Sequence, residues 1–189
     1  MTATTFDAAI VGAGPAGAAL ATLLARAGWS VALIEQQPFP RRKVCGECVA
    51  ASNLALLDAL GVGAAFAERA GAELRRVALM RGDETVVAPL PAAPGAHRFG
   101  RALGREHLDT LLADAAEVAG ATRWQPWSLQ AIAGSAGAFA LRVRREDAAD
   151  ERGVQLGWRK RSADRRAARA TPAEQCARDA VAVAGGGEL

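Results

Sequence analysis

An α/β fold with a parallel sheet is what this 189-residue sequence predicts, and three features predict it. A short apolar run, Asp7-Ala-Ala-Ile-Val-Gly-Ala13, has the length and continuity of a strand buried on both faces. A helical pattern from Pro15 to Ala27 follows at once, with Pro15 where a missing N–H costs nothing and Gly28 just past the helix end. A second apolar run, Ser30-Val-Ala-Leu-Ile-Glu35, completes a β-α-β unit of the kind that crosses over right-handedly between parallel strands.

The next elements are read in the same way. Gln36 to Glu47 is a Pro- and Arg-containing loop, and Cys48 to Leu60 reads as a helix with Leu54, Leu57 and Leu60 at helical spacing and Gly61 as its stop. Glu73 to Met80 and Glu84 to Leu90 read as two strands joined around Arg81-Gly82-Asp83, and Pro89, Pro91 and Pro94 mark the loop that follows. Arg105 to Ala119 is an amphipathic helix with Leu108, Leu111, Leu112 and Ala115 on one face and Gly120 beyond its end. Trp127 to Ala133 and Ala138 to Arg145 form a hairpin around Gly134-Ser135-Ala136-Gly137. The fold class is therefore α/β, a parallel sheet carrying an inserted or appended antiparallel β element.

Composition bounds the function classes. Hydrophobic residues at 51% and charged residues at 23% are globular proportions. The net charge of +3 does not describe the folded part: Met1 to Asp150 holds 15 basic and 15 acidic residues, and Glu151 to Leu189 holds 8 against 5. Residues 1–150 are expected to be the domain and 151–189 an Arg/Ala-rich tail. The stretch between Asp7 and Arg26 is uncharged and long enough to suggest a membrane span, but no Lys or Arg precedes it, and Gly12, Gly14, Pro15 and Gly17 interrupt it. Neither a secretory leader nor a span is expected, and three cysteines without a disulfide pattern suit a reducing, cytoplasmic setting.

Gly12-Ala-Gly14-Pro15-Ala16-Gly17 lies where a strand gives way to a helix, the context that gives a glycine pattern meaning. Gly12 permits the tight turn, Gly14 lets a pyrophosphate approach the backbone, and Gly17 lets the helix pack close to the strand. The positive end of the helix then faces the phosphates. Glu35 stands 18 residues after Gly17 at the end of the second strand, where its carboxylate can accept hydrogen bonds from both ribose hydroxyls, and an acid there disfavours a 2′-phosphate. With Gln36 beside it, this predicts a Rossmann-type dinucleotide site. FAD and NAD present the same ADP half to such a motif.

The loop after Glu35 separates the two. Phe39-Pro-Arg41-Arg-Lys43-Val-Cys45-Gly46-Glu47 resembles the segment following the ribose-binding acid in FAD-dependent oxidoreductases of the geranylgeranyl reductase, flavin halogenase and aromatic-hydroxylase (p-hydroxybenzoate hydroxylase-like) group. Gly104-Arg105-Glu-His-Leu108-Asp109 is similar to a helix start of the same group, and the resemblance covers roughly Asp7 to Arg145. It implies that Gly12, Gly14, Pro15, Ala16, Gly17, Glu35 and Gln36 hold the ADP portion of FAD. Arg41 and Lys43 would line the entry beside the phosphates or the flavin, and Arg105 would sit near the pyrophosphate. A cation at a helix N-terminus is disfavoured by the dipole, so an anionic ligand beside Arg105 would help explain it. In a complete relative, NAD(P)H would reduce the flavin, and a hydrophobic small molecule would then be reduced, hydroxylated or halogenated.

Cys45 is the candidate catalytic residue. With Cys48 it also supports a flavin disulfide reductase alternative, although the spacing in such enzymes is typically wider. A metal site is not expected, since Cys176, His97 and His107 make no second pair. The segments that cover the flavin ring in this group are not visible, so the chain is expected to supply the ADP half, as an incomplete domain. The cluster Arg159, Lys160, Arg161, Arg165, Arg166 and Arg169 has two accounts: a nucleic-acid-binding arm on a non-enzymatic fragment, or out-of-frame translation beginning near Asp150. The second is preferred, because no phosphate-binding fold accompanies the charges, and nucleic acid is not the expected partner.

Overall fold

The computed structural model describes residues 3–44, 47–135, 138–145 and 150–157. In chain order the elements are β1 (Ala3–Phe6), β2 (Ala8–Val11), α1 (Pro15–Arg26), β3 (Val31–Ile34), β4 (Cys48–Val49), α2 (Ala51–Leu60), α3 (Gly63–Arg69), β5 (Arg76–Arg81), β6 (Glu84–Pro89), β7 (Arg101–Ala102), α4 (Arg105–Val118), β8 (Thr122–Trp124), β9 (Trp127–Ser135), β10 (Ala138–Arg145) and β11 (Glu151–Gly157). They divide into two compact units, one built from residues up to Pro38 together with those from Ala116 on, the other from Phe39–Ala115.

The first unit contains the predicted β-α-β crossover. Strands β2, β3 and β8 form a parallel sheet in the order β2-β3-β8, with Ile10 opposite Leu33 and Ile34 opposite Trp124. Every residue of β3 is buried, so the strand reads as a continuous apolar run, as strands covered on both faces do. Helix α1 buries Gly17, Ala18, Ala21, Thr22 and Ala25, a stripe of small side chains that lets it lie close to the sheet. A second sheet, ordered β1-β11-β10-β9, pairs β1 with β11 in parallel and β11, β10 and β9 antiparallel. Phe6, Ala9, Ala32, Ile34, Trp124, Trp127, Leu141, Val143 and Val154 make one core shared by the two sheets. Trp124 meets Phe6 edge-on at 6.0 Å and Trp127 at 5.5 Å, contacts worth about 0.5–1.5 kcal/mol each beyond the area they bury.

The second unit holds α2, α3, the antiparallel pair β4-β7, the hairpin β5-β6 and the start of α4. The hairpin is exposed along both strands, with Leu79 and Val86 facing each other across it.

Several expectations need correction. Cys48 and Val49 pair with Ala102 and Arg101 as β4-β7, so the helix expected from Cys48 starts at Ala51. The organised part was expected to end at about Asp150, but Glu151–Gly157 forms β11. Arg152, Val154 and Leu156 of β11 lie opposite Val143, Leu141 and Phe139, and Val154 is fully buried. The polar look of this strand comes from its exposed residues, Glu151, Arg152 and Gln155. The remaining tail, including the Arg cluster from Arg159, lies outside the described residues. Among the described residues no helix is long and apolar enough to cross a membrane.

Candidate functional site

The turn between β2 and α1 is built by two glycines. Gly12 has φ +100°, a conformation that a side chain strains, and its N–H donates to the Ile34 carbonyl at 2.7 Å, tying the turn to the end of β3. A Cβ on Gly17 would lie 2.0 Å from the Gly12 carbonyl oxygen and 3.2 Å from Ile10 Cγ2, so only glycine permits this approach of helix to strand. Gly14 is the residue preceding α1, with φ −69° and ψ −179°, and Pro15 follows in the first helical position.

The N-terminus of α1 carries no side-chain cap and no acidic residue in its first turn. Helix geometry gives the Ala16 and Gly17 N–H groups no carbonyl partner within the helix, and Pro15 has no N–H to offer. Ala16 is exposed, and Gly14 and Pro15 are half-buried, so the end is open to a ligand. A negatively charged group is the complement of this arrangement.

Glu35 lies at the end of β3, only 4% exposed. Its carboxylate accepts the Ala13 N–H at Oε2 (2.9 Å) and the Gln37 N–H at Oε1 (2.9 Å). The first bond links the acid directly to the glycine turn, so the two are set in one network. A carboxylate offers about four lone-pair sites on two oxygens, so it can accept from a vicinal pair of hydroxyls as well as from main-chain N–H groups. The ADP portion of FAD fits these residues: an uncapped helix end for its diphosphate, a glycine turn for close approach and a fixed acid for its ribose. Gln36, next in the chain, is exposed.

Arg41, Lys43 and Arg105 belong to the second unit. The Arg41 guanidinium lies 5.4 Å from the centre of the Phe39 ring, a cation–π contact, and Lys43 is exposed. Arg42 Nε lies 3.8 Å from Glu106 Oε1, beside a cavity of about 480 Å³ lined by Pro40, Arg42, Arg69, Glu106, His107 and Thr110. Arg105 makes a two-pronged ion pair with Asp109, Nε to Oδ1 at 2.7 Å and Nη2 to Oδ2 at 2.9 Å. Asp109 is fully buried. Arg105 therefore has a carboxylate partner within the chain, one helical turn along, at a spacing legible as an i,i+4 pair. His97 Nε2 lies 2.6 Å from Asp58 Oδ2. Cys48 is an exposed free cysteine. Cys45 lies outside the described residues, as does its geometry toward Cys48.

Three residues of the first-unit network escape sequence reasoning: Ala13 through its N–H, Gln37 through its N–H, and Gln125, whose side-chain amide donates to the Gln37 carbonyl. Main-chain donors carry no residue-type signal, and Gln125 is distant in sequence from the motif it touches.

Comparison with known proteins agrees with this geometry. The chain is 37% identical over 115 residues to a menaquinone reductase of Mycobacterium tuberculosis, covering 61% of this chain and 28% of that protein. It is 38% identical over 122 residues to a kynurenine 3-monooxygenase of Xanthomonas oryzae pv. oryzae, covering 59% of this chain and 26% of the relative. It thus spans about a quarter of the length of these curated relatives. A geranylgeranyl bacteriochlorophyll reductase-like structure from Thermoplasma acidophilum shares the fold with a TM-score of 0.66 at 23% identity, covering 82% of this chain and 38% of that one. The flavin disulfide reductase and nucleic-acid alternatives receive no support from these relatives. The model of the FAD binding domain family matches residues 5–169, most of the chain and beyond β11, and the chain belongs to that family.

Proposed function

We propose that this chain forms the N-terminal, ADP-binding part of a flavin-dependent reductase or monooxygenase that acts on a hydrophobic small molecule, with NAD(P)H as reductant, in the cytoplasm. The observation that carries the reading is the single hydrogen-bonded network joining the glycine turn to Glu35 through the Ala13 N–H. Gly12, Gly14, Pro15, Ala16 and Gly17 receive the diphosphate at the open end of α1, and Glu35 with Gln36 receives the adenosine ribose. Menaquinone and kynurenine, named for the two relatives, suggest an apolar or aromatic substrate class.

Bound FAD supplies two-electron chemistry at its isoalloxazine ring, and the protein supplies placement and electrostatics. The chain's own residues bind and orient. The helix end offsets diphosphate charge, Glu35 fixes the ribose, and the Gly17 contact holds α1 against β2 so that these groups keep their spacing. Arg41 and Lys43 are assigned to the entry to the site as cations for the phosphates or the flavin, and Arg105, paired with Asp109, to a place near the pyrophosphate. Cys45 is kept as the candidate catalytic residue.

Titration of the purified chain with FAD, followed by flavin fluorescence and visible absorbance, tests the reading. Saturable binding that excess ADP reverses is the expected result. Absence of binding by FAD and ADP alike would overturn it.

A further inference from the structure

We infer that Gln125 is a positioning residue for the ribose-binding acid, acting through Gln37 on the orientation of the Glu35 carboxylate. The inference rests on the ADP-binding reading above.

The segment Trp124–Trp127 brackets Glu35 along its main chain. The Glu35 N–H donates to the Trp124 carbonyl at 2.9 Å, and the Glu35 carbonyl accepts the Trp127 N–H at 2.8 Å. Between these two bonds lies Gln125, half-buried, with its side-chain amide directed to the carbonyl of Gln37. A carbonyl oxygen only accepts, so the Gln125 group that meets it is the Nε2 donor. Gln37 is held at both its main-chain groups: its carbonyl by Gln125, and its N–H by Glu35 Oε1 at 2.9 Å.

That second bond fixes the acid. The terminal torsion of a glutamate is broad, and the bond from the Ala13 N–H holds one oxygen, Oε2. The Gln37 N–H holds Oε1 as well, so bonds to both oxygens set the plane of the carboxylate. Two adjacent hydroxyls of a ribose are two donors at fixed spacing, and a fixed pair of acceptors matches them at lower entropic cost. Gln125 therefore bears on the sugar hydroxyls and leaves the phosphates at the α1 end untouched. The Gln37 side is exposed and Gln125 lies outside the shared core, so loss of the bond costs the fold little.

The test uses the full 189-residue chain with Gln125→Met, which keeps length and loses the donor, and Gln125→Lys, which restores a donor. Affinities for ADP and for 2′,3′-dideoxyadenosine diphosphate are measured by titration calorimetry, with thermal melts as a control for folding. Gln125→Met is expected to weaken ADP about three- to tenfold, the range of one net hydrogen bond. The same variant should leave the dideoxy ligand unchanged and add no further loss in a Glu35→Gln background. Gln125→Lys should recover part of the ADP affinity. Equal ADP affinity in Gln125→Met and the original chain, or equal weakening of both ligands, would overturn the inference while leaving ADP binding intact. Failure of the original chain to bind ADP would overturn both it and the reading it rests on.

Discussion

Replacing Glu35 by glutamine tests the centre of the site with almost no change of shape. The carboxylate is 4% exposed and accepts two main-chain N–H groups, from Ala13 and Gln37, each at 2.9 Å. Glutamine keeps one oxygen, and its NH₂ group must then face a donor. Ala13 is fully buried and has no recourse to water, whereas Gln37 lies at an exposed position, so the oxygen stays with Ala13 and the Gln37 bond is lost. A lost bond to a charged acceptor is worth about 1.5–3 kcal/mol, and solvation of the Gln37 N–H reduces the net cost to about 1–2 kcal/mol. At roughly 2–4 °C per kcal/mol for a chain of this size, the melting temperature should fall by roughly 2–8 °C. The ribose loses a charged acceptor as well, which should weaken ADP by about 1–3 kcal/mol, or roughly 5- to 150-fold. Differential scanning fluorimetry and an ADP titration read the two effects. A variant that melts as the original does and binds ADP equally well would refute the assignment of Glu35 to the ribose.

Other substitutions separate the fold from the ligand. Gly14→Val should leave the thermal midpoint within a few degrees, because φ −69° suits any residue, yet abolish ADP binding measured by calorimetry. Retained ADP affinity in that variant would place the diphosphate elsewhere. Gly17→Ala should destabilise by about 1–3 kcal/mol in urea denaturation, since its Cβ would lie 2.0 Å from the Gly12 carbonyl; a loss under about 0.5 kcal/mol would contradict the close packing described. Asp109→Ala removes one side of a pair whose side chains are 15% and 1% exposed, and should cost about 3–5 kcal/mol in the same assay. An unchanged denaturation midpoint would show that the pair contributes nothing to the second unit.

The part of the fold legible in the sequence is the part whose information is local. Residues 7–35 carry an apolar run, a proline-led helix, a glycine stop and a second apolar run, and the structure realises each within a residue or a few. Helix α4 and the hairpins β5-β6 and β9-β10 were legible for the same reason, from helical period and alternation. Strand β11 was not, because its exposed positions are Glu151, Arg152 and Gln155 and its one fully buried side chain is Val154. Its partner β1 lies at the opposite end of the chain, pairing Ala3 with Gly153, and no window of neighbouring residues contains that relation. Strands β4, β7 and β8 have two or three residues each, too few for a period to show. In the site, Gly12 and Gly17 were legible because a positive φ and a close helix–strand approach demand glycine, and Glu35 because the proposed ribose contact calls for an acid at that place. Gln125 was not, because a donor to one main-chain carbonyl can come from many side chains at many positions.

The central claim is that residues up to Glu35 hold the ADP half of FAD. Competition between FAD and ADP on the purified chain, with FMN as the comparison, tests it most directly, since FMN carries the flavin without the adenosine. ADP is expected to displace FAD at concentrations near its own dissociation constant, and FMN neither to bind tightly nor to displace FAD. Displacement of FAD by FMN with no effect of ADP would contradict it.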